Sequence, residues 1–150
     1  MNKKVAVVMG SDSDLETMKP CIARLKSFDI PVEVRVISAH RTPAAAEQFA
    51  SSARAEGFGT IMAAYTTLPV IGVPIKTSMM GGLDSLLSMV QMPKGIPVAC
   101  VAVDGADNAA ILAVQMLALS EPALADKLSQ FKDDMAAEVA EKDKNIAQRA

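Results

Sequence analysis

The stretch EVRVISAHRTP, Glu33 to Pro43, ends an apolar, β-branched run on the only histidine of the chain, His40, with Arg41 directly behind it. An imidazole is the one side chain that exchanges protons readily near neutral pH, and a guanidinium clamps a phosphate or carboxylate with two parallel hydrogen bonds. A neighbouring positive charge favours the neutral imidazole, which suits a general base. Ser38 adds a hydroxyl three residues from Arg41. A second polar cluster, MGSDSD, follows the apolar run KVAVV: Gly10 allows a tight turn, and Ser11 and Ser13 offer hydroxyls beside the free N–H groups of a helix start. That combination is suited to phosphate. Each cluster also has a plain structural reading, the first as a surface loop whose histidine caps a carbonyl, the second as a turn with an N-cap.

The elements that must hold these clusters alternate. KVAVVMG reads as a strand buried on both faces. A helix follows, with Leu15, Met18, Ile22 and Leu25 at helical spacing, Ser13 as N-cap, Glu16 as its capping-box partner and Pro20 as an internal kink or cost. PVEVRVIS is a second strand, and TPAAAEQFASSARAEG a second helix with Thr42 as N-cap, Pro43 at its first position and Gly57 as its stop. LPVIGVPI and GIPVACVAV are two further buried strands, separated by the short helix GGLDSLLSMVQMP. DNAAILAVQMLAL and a long, charged last helix complete the chain; that helix either packs on a neighbouring subunit or ends as a solvated tail. The order predicts a three-layer, doubly wound parallel sheet of flavodoxin-like form in a single domain over residues 1–150. Ligands of such sheets bind outside the carboxyl ends of the strands, where both clusters fall.

Composition narrows the chemistry. A net charge of -2 leaves no basic stripe for nucleic acid, and 3% aromatics leave no stacking platform for bases. Cys21 and Cys100 sit in apolar periodic segments and read as buried, reduced thiols. No apolar stretch reaches membrane-spanning length, and the N-terminal run is too short for a signal peptide, so a cytoplasmic protein is expected. One histidine and no cysteine cluster make a transition-metal site improbable. Nucleotide-cradling glycine motifs and a G-x-S-x-G elbow are absent from the sequence. The ten methionines fill core gaps, with Met79, Met80, Met89 and Met92 as pocket candidates.

VVMGSDSD, VISAHRTP, LPVIGVPI and GGLDSLLSMVQMPKGIPVA, in this order and spacing, resemble the PurE family of purine biosynthesis from about Val5 to Leu119. The resemblance implies a three-layer α/β fold assembled as a homo-octamer, with sites at subunit contacts. It implies a class I N5-carboxyaminoimidazole ribonucleotide mutase, which moves a carboxylate from N5 to C4 of the imidazole without metal, ATP or other cofactor. Class II relatives, which carboxylate aminoimidazole ribonucleotide with CO2, tend to carry lysine after the histidine, so Arg41 favours class I. Carried over by motif position, Ser11, Asp14 and Arg41 bind the small-molecule ribonucleotide, Ser13 and Ser38 line its phosphate end, and His40 is the general acid/base.

The resemblance breaks between the second helix and LPVIGVPI. There the family has a third strand running into a glycine-rich loop of the form GAGGAAHLPG, with a second histidine. Here GFGTIMAAYTT leaves about a dozen residues of that pattern missing near Ile61–Met62. Gly59 to Leu68 cannot supply both a parallel strand of roughly five residues and a crossover of roughly ten or more. One account is a loop present in the protein and closed over by the numbering, which sets the Ile61 and Met62 Cα atoms far beyond the ~3.8 Å of a trans peptide. The other is a true deletion, which removes the wall that encloses CO2 and favours a non-catalytic assembly protein. Leu15, where many class I members have tryptophan, and the short loop Ala102 to Ala110 are lesser departures. Outside the family, the remaining reading is a flavodoxin-like or receiver-like binding module. Few aromatics disfavour a flavin, and Ile61-Met62 supplies no aspartate for a receiver.

Overall fold

The computed structural model describes residues 3–59, 66–78 and 80–147. The chain divides into two compact units, residues 1–113 and 114–150.

In the first unit, β1 (Val5–Met9) pairs in parallel with β2 (Val32–Val36), in the register Val5↔Val32 through Met9↔Val36. Val5, Val7 and Met9 are buried, as expected for a β-branched strand with helices on both sides. Between the strands runs α1 (Leu15–Ser27), which passes through Pro20 without ending. Its buried face is Met18, Cys21 and Leu25. Leu15, expected inside, is 36% exposed, and Cys21 takes the central place expected for Ile22. After β2 comes α2 (Pro43–Ser52), with Thr42 and Pro43 in the expected N-cap and N1 positions. Phe49, Ala46 and Ala50 of α2 form a cluster with Ile37, Ala53 and Phe58, and Ala6 and Val8 of β1 pack against it. The Phe49 and Phe58 rings meet edge to face at 5.4 Å. Lys4 lies 3.9 Å over the Phe58 ring and 3.0 Å from the Glu33 carboxylate. Its hydrogen bond holds the Glu33 carboxyl below the usual range, with partial desolvation opposing and Arg35 assisting.

The second pair of strands is shorter than the sequence predicts: β3 (Ile71–Gly72) and β4 (Ala99–Cys100), again parallel. Pro74 and Pro97 lack the N–H groups that would lengthen the ladder. Between them lies α3 (Leu83–Val90), and α4 (Ala106–Ala118) follows β4. Among the described residues the four strands form two separate parallel pairs, β1–β2 and β3–β4. The Ile61–Met62 junction lies outside the described residues. Arg24 of α1 grips Asp107 of α4 through two bonds of 2.8 and 3.1 Å, which raises the guanidinium pKa further.

Both cysteines are free thiols, but only Cys21 is buried; Cys100 is half-buried because its strand is paired on one side. Burial, reinforced by the Asp107 carboxylate, pushes the Cys21 thiol up to about 11, and burial also raises Cys100. The folded chain therefore holds the Cys21 proton more tightly than the unfolded chain. This stabilisation is complete below the ordinary value of 9.0 and is lost as pH rises through about 11. It amounts to about 2–3 kcal/mol. Thermal midpoints measured from pH 8 to 11 will fall, and Cys21→Ala will flatten that fall whereas Cys100→Ala will leave most of it.

The second unit holds the end of α4 and α5 (Pro122–Ala147). From residue 132 to 146 every residue of α5 is exposed, and Met135, Val139 and Ile146 form one apolar stripe along it. No helix among the described residues is long and apolar enough to cross a membrane.

Candidate functional site

The loop after β1 is fixed by its own side chains. Ser11 is extended, at φ -146° and ψ 154°, and caps a single 3-10 turn, Asp12–Asp14, that leads into α1. Its Oγ accepts the Ser13 N–H at 3.3 Å, and its N–H donates to Asp14 Oδ2 at 3.2 Å. The Ser13 hydroxyl donates to Ser11 Oγ at 2.9 Å. The cap is thus Ser11 with Asp14, not Ser13 with Glu16, because the 3-10 turn starts the helical path two residues earlier. Gly10 does not turn left-handed, and a Cβ there would meet no heavy atom within 4 Å, so its bare backbone leaves open space at the end of β1.

The loop after β2 closes on itself. Thr42 Oγ1 donates to the Ser38 carbonyl at 2.9 Å and accepts the Ser38 N–H at 3.1 Å, so its hydroxyl ties the loop and does not cap α2. The Arg41 N–H donates to Ser38 Oγ at 3.2 Å. The Arg41 guanidinium reaches across to donate to the Gly10 carbonyl. That bond joins the two loops, holding the segment that bears Ser38, His40 and Arg41 against the segment that bears Ser11, Ser13 and Asp14. His40 itself is exposed and makes no hydrogen bond with any described residue.

Gly10 and Asp14 line a cavity of about 620 Å³ that also takes in Lys76, Thr77 and Ser85, the polar residues that follow β3 and open α3. Sequence reading did not single these out, although a polar KTS directly after an apolar strand is the same signal as GSDSD after β1. Of the methionines named as pocket candidates, Met89 lines the cavity; Met80 is 69% exposed and Met79 lies outside the described residues. The loop after β4 is tied to the one after β3: Asp104 Oδ1 accepts the Lys76 N–H at 2.9 Å, and the Asp104 N–H donates to the Pro74 carbonyl at 2.8 Å. Thr77 Oγ1 donates to Asp84 Oδ1 at 2.7 Å.

Gly82 permits this packing. It is left-handed at φ +96°, and a Cβ would stand 2.7 Å from Val103 Cγ1 and 3.2 Å from the Lys76 backbone. Gly82→Ala will cost about 2–4 kcal/mol through strain and overpacking, read as a lower urea midpoint with unchanged slope. Among the described residues no group of three or more His, Cys, Asp or Glu side chains is placed to hold a metal ion.

A family model described as AIR carboxylase matches residues 4–138. The chain is 46% identical over 155 residues to the N5-carboxyaminoimidazole ribonucleotide mutase of Pyrococcus horikoshii, covering 95% of this chain and 88% of that protein. To the protein of the same name from Mycobacterium tuberculosis it is 47% identical over 160 residues, covering 98% and 92%. Both alignments run longer than the 150 residues of this chain, so each relative carries residues with no counterpart here. A crystal structure of Treponema denticola PurE superposes with a TM-score of 0.86 at 24% identity, covering 95% of this chain and 98% of that one; at that identity it shows the fold, the α/β form with parallel strands expected from the sequence.

Proposed function

The chain belongs to the AIR carboxylase family, and we infer that it is an N5-carboxyaminoimidazole ribonucleotide mutase, an isomerase of purine biosynthesis. The observation that carries this reading is the 46–47% identity, along almost the whole chain, with proteins named for that activity. The joined loops supply a consistent chemistry. Arg41, Ser38 and Ser13 hold the phosphate by charge-assisted and hydroxyl hydrogen bonds. Ser11 and Asp14 hold the rest of the ribonucleotide.

His40 is the proton carrier. The N5 carbamate releases CO2 as its N–C bond breaks, and N5 takes a proton from the imidazolium. C4 then attacks the retained CO2, and the C4 proton returns to the imidazole, so the cycle closes with no net change in protons or electrons. No cofactor enters this balance. The exposed ring, unengaged by any described residue, is free to meet both ring atoms in turn. Retaining CO2 requires a site closed to water.

The protein acts in the cytoplasm as a homo-octamer in this reading. The exposed Met135, Val139 and Ile146 stripe on α5 and the exposed Val34 and Val36 of β2 support assembly. Light scattering will report a mass near eight chains; a monomer would overturn the assembly.

The activity is tested by two substrates. N5-carboxyaminoimidazole ribonucleotide alone should give 4-carboxyaminoimidazole ribonucleotide. Product formed only from aminoimidazole ribonucleotide with bicarbonate would replace the mutase reading by direct carboxylation.

A further inference from the structure

Main-chain groups along a strand point alternately to either side. The Val5 N–H donates to the Pro31 carbonyl, and the Ile37 N–H donates to the Met9 carbonyl. Odd-numbered residues of β2 therefore serve β1. By alternation the N–H and C=O groups of Val32, Val34 and Val36 point outward, away from β1. Among the described residues no strand pairs with them on that side. Val34 is 40% exposed and Val36 54%, which leaves an apolar, β-branched flank beside the open edge.

The charges of this edge are symmetric about Val34. Glu33 and Arg35 stand one residue to either side of it, on the face opposite the valines. Their side chains meet at 3.2 Å, and both are held in place by further contacts. Lys4 bonds the other Glu33 carboxylate oxygen at 3.0 Å, and the Arg35 guanidinium lies 5.3 Å over the Phe49 ring. An edge that repels copies of itself carries charge of one sign, commonly lysine. This edge carries one charge of each sign, equally spaced from its centre.

That spacing selects a register. Let a second copy lie antiparallel, with Val34 facing the partner's Val34. Glu33 then stands opposite the partner's Arg35, and Arg35 opposite the partner's Glu33. These are the non-hydrogen-bonded positions, where side chains approach closest. Val34 with the partner's Val34, and Val32 with the partner's Val36, take the hydrogen-bonded positions that their outward main-chain groups require. A slide of two residues either way sets Glu33 against Glu33 or Arg35 against Arg35. A slide of one residue opposes outward groups with inward ones. Among antiparallel registers near this centre, one alone satisfies both the ladder and the charges.

We propose that β2 is a self-pairing edge, through which two copies of this chain join about a twofold axis. Their strand pairs then form one continuous sheet, β1–β2 of one copy running into β2–β1 of the other. The octamer reading requires that copies join but names no contact, and this contact does not depend on the mutase reading.

Single cysteines in the full chain test the register, with the unsubstituted chain as the blank for Cys21 and Cys100. Val34→Cys sets a thiol opposite its own copy, at a Cα separation of about 5.5 Å that a disulfide spans. Val36→Cys sets its two thiols four residues apart along the strands, roughly 13 Å. Under mild oxidation Val34→Cys should form covalent dimers at least about tenfold faster than Val36→Cys. Exposure alone predicts the reverse order, since Val36 is the more exposed. Glu33→Arg and Arg35→Glu, each added to Val34→Cys, set like charges face to face and should slow linking about tenfold. Mixed in equal amounts, these two variants oppose unlike charges at both positions and should link to each other at the original rate.

Equal or reversed linking of Val34→Cys and Val36→Cys, or no linked dimer from either, would overturn the proposal, whatever the charge variants do. Folded charge variants that link no faster mixed than alone would overturn the register. An octamer that fails to link through Val34→Cys overturns this contact and leaves the assembly reading standing. A smaller assembly that links there refutes the octamer alone.

Discussion

Replacing His40 by asparagine will lower kcat for carboxylate transfer by about 10²–10⁴-fold, while ribonucleotide affinity stays within about threefold. The chain has one imidazole, and the proposed cycle moves one proton out to N5 and one back from C4. Asparagine keeps a polar group of similar reach but cannot carry a proton at neutral pH. The exposed ring makes no hydrogen bond with a described residue, so its loss leaves the loop intact: Thr42 and Ser38 close that loop without it. Steady-state kinetics and calorimetric titration of both proteins measure the two quantities separately. Retained turnover would remove His40 from the mechanism. Affinity lost in step with kcat would make it a binding residue.

Arg41→Gln will raise KM by about 10–100-fold, with a smaller change in kcat, since a hydrogen bond to a charged group is worth about 1.5–3 kcal/mol. Two effects combine. The guanidinium holds phosphate in the proposed site, and it also fastens the second loop to the Gly10 carbonyl. Arg41→Lys separates them: it keeps the charge but loses the planar fork that can reach a carbonyl and an anion together. Lysine should recover part of the KM, and the remaining deficit measures the clasp. Arg41 does not line the cavity, and an unchanged KM in Arg41→Gln would move the phosphate into it, towards Lys76.

The sequence makes most of the helices legible because their signals are local. Pro43 after Thr42 starts α2, and paired glycines precede α3. The helix cap after β1 was misread because Ser11 and Ser13 have the same chemistry two residues apart, and only the 3-10 turn decides between them. The third and fourth strands were overextended for a different reason. An apolar run records burial, while ladder length depends on partners remote in sequence, and two prolines withhold donors from that ladder. Counting residues between Gly59 and Leu68 shows that a strand and a crossover cannot both fit there, whereas the two separate strand pairs among the described residues were not foreseen from the single sheet expected. Ser11, Ser13 and Asp14, and likewise Ser38, His40 and Arg41, were visible as clusters. Their junction through Gly10 was not, because a backbone carbonyl leaves no mark in a sequence. Lys76, Thr77 and Ser85 were missed because cavity lining is settled by tertiary packing.

Among the described residues β1 pairs on one side only, with β2, and that has a consequence for handling the protein. VAVVM is short, uncharged, β-branched and free of proline, the composition from which stacked cross-β assemblies grow. Native sheets shield such edges with charge, bulges or cover, whereas Ala6 and Val8 line a cavity and pair with β2 alone among the described residues. Concentrated samples will therefore shed soluble material into sheet-rich aggregates that bind thioflavin.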